Sequence, residues 1–450
     1  FGANNRWGTF PSFSLGWNIA HENFWKPLEN TVNTLKLRAS YGSLGNQNID
    51  NWYQTYSTVA YNSVAGAWLQ GGKKTNITAA PGLVSAALGW EKVESYDVGL
   101  DWGAFNNRLT GSFDYYVRNT KDMVGPAPEL PALLGTAVPK TNNTDLRTTG
   151  WELQIGWRDH LENGLNYGVT FNVSDAQAKV TRYPNNPTGS LSSYIENRKV
   201  GEIWGYETIG IAKTNDEMNQ HLATLPNGGQ SQLGDKWAAG DIMYKDLDGD
   251  GKISNGSNTL SDHGDLKVIG NNTPRYLFGL DLTASWKGFD FRAFMQGVMK
   301  RDYNVNGSWG AREYLFGATN SGVWWAAGIT GVQDYFRDSE TWSVKNGYES
   351  ENLNAYLPRP QYSEKNIHTQ TRYLLNAAYL RMKNLQIGYT LPQSLVSKAG
   401  LGNVRFFVSA ENLFTITDLP SQFDPETIDT AYGNGYPLSR TFSFGVNVTL

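Results

Sequence analysis

The chain has 450 residues, a formal net charge of −4, no cysteine and only five histidines. This excludes disulfide frameworks, thiolate nucleophiles and cysteine-based zinc sites together, and there is no basic footprint for nucleic acid. No stretch approaches the ~18 consecutive apolar residues of a membrane-crossing helix. A membrane β-barrel still fits, because strands that alternate lipid-facing and lumen-facing residues average to a polar composition. The sequence begins at Phe1, with no initiator Met or signal peptide, and reads as a fragment or a processed piece.

Period-two alternation of apolar and polar residues predicts strands along the chain. Two weaker runs lie near 9–19 and 34–44. Clearer ones follow at Tyr96–Trp102, Leu109–Val117, Trp151–Trp157, Tyr167–Val173, Tyr276–Trp286, Phe289–Gln296, Leu385–Leu391, Val404–Ala410 and Phe442–Leu450. The last is the clearest: Phe442, Phe444, Val446, Val448 and Leu450 share one face, and Ser443, Gly445, Asn447 and Thr449 the other. The total is about eleven strands, each near the ~9–11 residues a tilted strand needs to cross a bilayer.

The connections separate a membrane barrel from a soluble β-sandwich. Junctions at 103–107, 159–164, 286–290 and 392–402 are short, whereas those at 45–87, 119–145, 184–273, 302–378 and 415–437 are long. After a first turn of intermediate length (20–32), the two kinds alternate. Short periplasmic turns and long extracellular loops are the habit of outer-membrane barrels. The apolar face also carries aromatics near strand ends (Trp102, Tyr115, Trp157, Trp286, Tyr389), as interfacial girdles do. The fold class is therefore all-β, a transmembrane antiparallel barrel with long extracellular loops. An odd strand count and two open edges in lipid would leave backbone groups unsatisfied, so further strands are expected upstream.

The stretches LKLRASYGSLGNQNI (35–49), WEKVESYDVGLDW (90–102), RLTGSFDYYVRNTKDMV (108–124), GDIMYKDLDGDGKI (240–253), YLRMKNLQIGYTLP (379–392) and VRFFVSAENLF (404–414) resemble the SusC/RagA family of TonB-linked outer-membrane transporters. The resemblance runs through the whole chain, 1–450, in order. It implies the C-terminal ~11 strands of a 22-stranded barrel. It further implies TonB-energised import of oligosaccharides or peptides with a SusD-like lipoprotein, in the outer membrane of Bacteroidetes. The plug and the TonB-contacting segment, N-terminal in that family, are not visible in this sequence, so this chain alone is expected not to transport.

Asp246-Leu-Asp248-Gly-Asp250-Gly251-Lys252-Ile253 is the strongest local motif. It places carboxylates at positions 1, 3 and 5 of a calcium loop, with Gly251 for the sharp turn and the Lys252 carbonyl at position 7. Ca²⁺ needs six to eight hard oxygens, and position 12 is Ser257 rather than Glu. Against the family pattern, SNGSNTLS (254–261) reads as an insertion that aligns Asp265 with the closing ligand, with Asp262 as its competitor. The bland alternative is a solvated Asp-Gly turn without an ion. Within the same long loop, Thr214-Asn-Asp-Glu217 reads as a capping box opening one short helix.

The aromatic loops 184–273 and 302–378 nominate Trp309, Trp324 and Trp325 as substrate contacts, against loop packing or burial under a partner. Lumen-side charges (Asp97, Asp101, Asp114, Asp281, Asp290, Arg292, Arg405, Glu411) read either as the lining of a polar conduit or, first, as paired charges that hydrate and brace the wall or hold the plug. No nucleophile elbow, P-loop or HExxH is present, and no catalytic residue or enzymatic activity is expected. Two rival readings are a passive porin or structural barrel, and a secreted carbohydrate-binding β-protein.

Overall fold

The computed structural model describes residues 5–47, 55–59, 64–78, 81–127, 131, 133, 138–305, 334–361, 363–429 and 436–450. Eleven antiparallel strands carry the fold: β1 Ser12–Asn18, β2 Val32–Asn46, β3 Glu91–Ala104, β4 Leu109–Pro126, β5 Lys140–His160, β6 Asn166–Arg182, β7 Arg275–Trp286, β8 Phe289–Lys300, β9 Tyr379–Thr390, β10 Asn403–Glu411 and β11 Thr441–Thr449. The chain forms two compact units, Phe1–Leu153 with Ala176–Val200, and Gln154–Asp175 with Gly201–Leu450.

In the first unit β1, β2, β3 and β4 pair in sequence order. Their register lines up three apolar rows: Phe13–Tyr41–Tyr96–Val117, Leu15–Ala39–Val98–Tyr115 and Trp17–Leu37–Leu100–Phe113. In the second unit β7 lies between β6 and β8, and β8, β9, β10 and β11 continue the ladder. Two rows cross it, Trp286–Phe289–Tyr389–Phe406–Val446 and Ala284–Phe291–Ile387–Val408–Phe444.

These apolar rows are open rather than buried: Leu15 is 74%, Val408 53% and Phe444 72% exposed. A soluble antiparallel sheet turns its apolar face onto a core. This sheet turns it outward, and that rules out the sandwich. The buried apolar clusters lie instead in the loop region of the second unit, around Met218 and Met243 and around Phe336 and Ala355. The opposite sheet face carries paired charges. Arg38 reaches Asp101 and Asp114, both at 2.8 Å, and Arg292 pairs with Asp281 and Arg405 with Asp290.

At the tight end, the hairpin between β7 and β8 turns through Lys287 (φ 47°) and Gly288 (φ 87°). A side chain at Gly288 would meet the Thr390 carbonyl at 2.7 Å, so this turn requires glycine on two counts.

Two expectations need correction. The strands β4, β5 and β6 run 18, 21 and 17 residues, well beyond the ~9–11 expected. Past Val117 both faces of β4 carry polar residues (Asn119, Thr120, Lys121), so alternation stops while the ladder to β3 continues. The stretches read as plain loops also contain short ladders: Glu202–Tyr206 with Leu266–Asn271, Thr208–Ile211 with Ile242–Tyr244, and Asp302–Asn304 with Leu374–Asn376. Ladders of three to six residues are too short to produce a readable period.

Candidate metal centre and the loop network around it

Between the strand Ile242–Tyr244 and the strand Leu266–Asn271 the chain folds back on itself. Asp246 accepts from the Gly249 amide at 2.6 Å and the Gly251 amide at 3.0 Å. Asp248 accepts from the Asp250 amide and Asp250 from the Lys252 amide, both at 3.0 Å. These side chains satisfy backbone donors in a turn that no ladder could serve. Gly249 and Gly251, at φ 77° and 79°, supply its left-handed corners.

Asp265 closes the loop from behind. It is fully buried and accepts from the Leu247 amide at 2.6 Å and the Ser254 amide at 2.8 Å, joining the two ends of the turn. Carboxylate oxygens of Asp246, Asp248 and Asp265 all lie within 4.8 Å of one another. Burial pushes the Asp265 carboxyl above its ordinary value; the two amides pull the other way, and the charges of Asp248 and Asp246 add to the rise. Three converging carboxylates, one fully desolvated, fit a hard cation with oxygen ligands.

The remaining candidates stand apart from that cluster. Asp250 turns toward the Lys252 ammonium at 3.2 Å. Lys252 forms a bridge with Gly229, whose carbonyl receives the Ile253 amide at 2.7 Å. Exposed Asp262 accepts from the Ser257 amide at 2.9 Å and its hydroxyl at 2.5 Å, bonds that hold its carboxyl below the ordinary value. It pins its own turn and is not one of the three converging carboxylates.

The helix α1, Asn215–Ala223, packs Met218 against Met243 in the strand that leads into this loop. Thr214 caps it by accepting from the Glu217 amide at 3.1 Å, and Glu217 reaches back to the Lys213 amide at 2.6 Å. Just after the helix, Asn227 donates to the Asp250 carbonyl at 2.6 Å.

A second set of residues was missed by sequence reasoning. Asp241, fully buried, accepts from Arg359 Nε and Nη2 (2.8 Å each), Gln361 (2.9 Å) and Asn366 (2.9 Å), and pairs with Lys365 at 2.9 Å. Lys365 Nζ also donates to the carbonyls of Asp235 and Lys236 and sits 4.8 Å over the Trp237 ring. Buried Tyr244 donates its hydroxyl to the Lys365 carbonyl at 2.7 Å. This network ties the segment before the Asp loop to residues more than a hundred positions away. Asp241 lay within the GDIMYKDLDGDGKI stretch, but its partners carry no spacing signal.

Among the loop aromatics, Tyr206, Tyr303 and Phe336 are buried and act in packing. Trp342 is 70% exposed and stacks on Tyr348 at 5.4 Å. Trp309, Trp324 and Trp325 lie outside the described residues.

The ladders of outward apolar rows, joined by short turns and long connections, define a class, and comparison with known proteins agrees. The model of the TonB-dependent-receptor-like β-barrel matches residues 1–413, so the chain belongs to that family of outer-membrane proteins. It is 32% identical to the TonB-dependent receptor P3 of Formosa agariphila, over 100% of this chain and 42% of that protein. To the TonB-dependent receptor SusC of Bacteroides thetaiotaomicron it is 26% identical, over 100% and 40%. The RagAB peptide transporter structure shares the fold, with TM-score 0.71, 24% identity, and coverage of 100% of this chain and 44% of that one. The chain thus spans less than half the length of the relatives it matches.

Proposed function

We propose that this chain forms the C-terminal strands and long external loops of a nutrient importer. It takes up oligosaccharides or peptides, is energised by TonB through an upstream plug, and works with a SusD-like surface lipoprotein. The observation that carries the reading is the open apolar face of the sheet, which needs lipid to cover it, within a family of TonB-dependent receptors. The loops 184–273 and 302–378 face outside the cell, and the β7–β8 turn faces the periplasm. No chemistry is assigned to the wall: Arg38, Arg292 and Arg405 pair with carboxylates across strands, and these charges serve hydration and bracing. The test is uptake from defined pools of peptides and of oligosaccharides by cells with and without the complete receptor, in the presence and absence of TonB. Depletion of one pool that requires both receptor and TonB is the expected result. Uptake indifferent to TonB would favour a passive pore.

Asp246, Asp248 and Asp265 would hold a calcium ion that staples the external loop, its remaining oxygens coming from main chain and water. In the complete receptor, Asp248→Ala is expected to remove bound calcium and loosen 246–265 while the barrel persists. Unchanged metal content would contradict the site.

A further inference from the structure

The outward face of β3, β4 and β5 changes character above its apolar rows. On β3 the residues sharing a face with Leu100, Val98 and Tyr96 are next Glu94 and then Lys92. On β4 they are Asn119 and Lys121, in register with Glu94 and Lys92. Lys92 and Lys121 therefore stand directly opposite each other in the ladder, a like-charge pair that destabilises a sheet unless an anion answers it. Glu94 is spent on Lys121 at 2.7 Å, and Lys92 has no carboxylate partner among the described residues. On β5 exposed Arg147 joins them. Its guanidinium donates to Asn119 at 2.9 Å, and it shares a face with Trp151, which stacks on outward-facing Phe113. The charge of Asp145 also acts on Lys121, so three cations meet two carboxylates and one net positive charge remains, centred on Lys92.

The height of this patch identifies what it meets. From Trp102 to Lys92 the strand climbs about 33 Å along its axis at ~3.3 Å per residue. At a tilt of ~35–45° that is about 25 Å along the membrane normal, the height of an outer-membrane apolar band. The patch sits where the hydrocarbon ends on the long-loop side, bordered below by Tyr41 and Tyr96 (ring centroids 5.0 Å apart).

We propose that Lys92, Lys121 and Arg147 form a binding site for the phosphate of an anionic lipid headgroup, whose acyl chains lie on the apolar rows below. The phosphate answers Lys92, whose opposite neighbour Lys121 is already met by Glu94, and the continuous apolar surface beneath makes the ligand a lipid rather than a free anion. Which leaflet supplies it depends on the outward loop orientation proposed above; the site itself does not.

The test uses the complete receptor in neutral detergent, titrated with a fluorescent phosphorylated lipid A, with zwitterionic phosphatidylethanolamine as the control lipid. Each removed charge among Lys92→Gln, Lys121→Gln and Arg147→Gln is expected to weaken lipid A binding about fivefold. Phosphatidylethanolamine binding should stay unchanged. Arg118→Gln, on the same strand but the other face, should leave both unchanged. Heat-modifiable gel mobility confirms that each variant is folded. Equal binding by all variants, or an equal loss in Arg118→Gln, overturns the site. So does full displacement of the lipid by millimolar inorganic phosphate. Because the titration is made in detergent, it can fail while the orientation stands.

Discussion

Replacing Asp241 by Asn keeps the shape of the side chain and removes its charge from the centre of the loop network. The Lys365 ammonium, only 2% exposed, then loses its ion partner, and one amide N–H of the new side chain faces donors. Removing one partner of a buried pair costs about 3–5 kcal/mol, mostly from the stranded charge. Arg359 is a third exposed and water screens its share, so the lower end applies, about 3 kcal/mol. That raises the opening equilibrium of the network by about a hundredfold. Hydrogen exchange on the complete receptor reads this directly. The amides of Ile242, bonded to Asn366 at 2.9 Å, and Arg359, bonded to the Gly240 carbonyl at 3.0 Å, should exchange about a hundred times faster. Strand β8 should be unaffected. Burial raises the Asp241 carboxyl, but bonds from Arg359, Asn366 and Lys365 outweigh it and hold it below its ordinary value. A depressed folded value means the contribution is complete above about pH 4 and fades as pH falls through that lower value. Wild-type protection should therefore fall toward that of Asp241→Asn in acid. Unchanged exchange at 355–371 in the variant would refute the claim that this network joins the two loops.

Ile387→Lys, on the lipid-facing row next above the girdle residue Tyr389, is expected to cost about 1–2 kcal/mol of barrel stability, between the interface and midplane values. Gln386→Lys on the opposite face should cost far less; the comparison is read from heat-modifiable gel mobility across a urea series, and equal effects would place the lipid face wrongly. Thr214→Ala removes the cap of α1 and should cost about 1 kcal/mol. It should show as faster proteolysis within 213–230, with the barrel strands intact.

The barrel strands were legible because one requirement repeats along them: every second residue must suit lipid. Phe442, Phe444, Val446 and Val448 declare it, and the ladder with β10 respects it. Beyond the hydrocarbon that requirement lapses, which is why the upper halves of β4, β5 and β6 went unread. The Asp loop was legible for the opposite reason. Its turn is local, so alternate Asp residues and Gly251 are written side by side. That Asp265 rather than Asp262 converges with Asp246 and Asp248 depends on Ser257 holding Asp262 and on the Leu247 and Ser254 amides drawing Asp265 inward. Asp241, Arg359 and Lys365 were out of reach because their meeting depends on how two distant loops fold together.

The long hairpin of β4 and β5 has a consequence for how such proteins change over time. Its lower part must match the thickness of the bilayer, but its upper part answers to nothing of fixed height. Residues can be gained or lost there without disturbing the membrane seat, subject to one arithmetic rule. A change by an even number keeps both faces of a strand in place, whereas an odd one must be taken up by the loop or by a local irregularity such as the one at Asp122 (φ 57°). The rim of the wall is thus free to rise or sink in steps of two residues, about 7 Å along the strand. Comparing rim heights between relatives should reveal that parity.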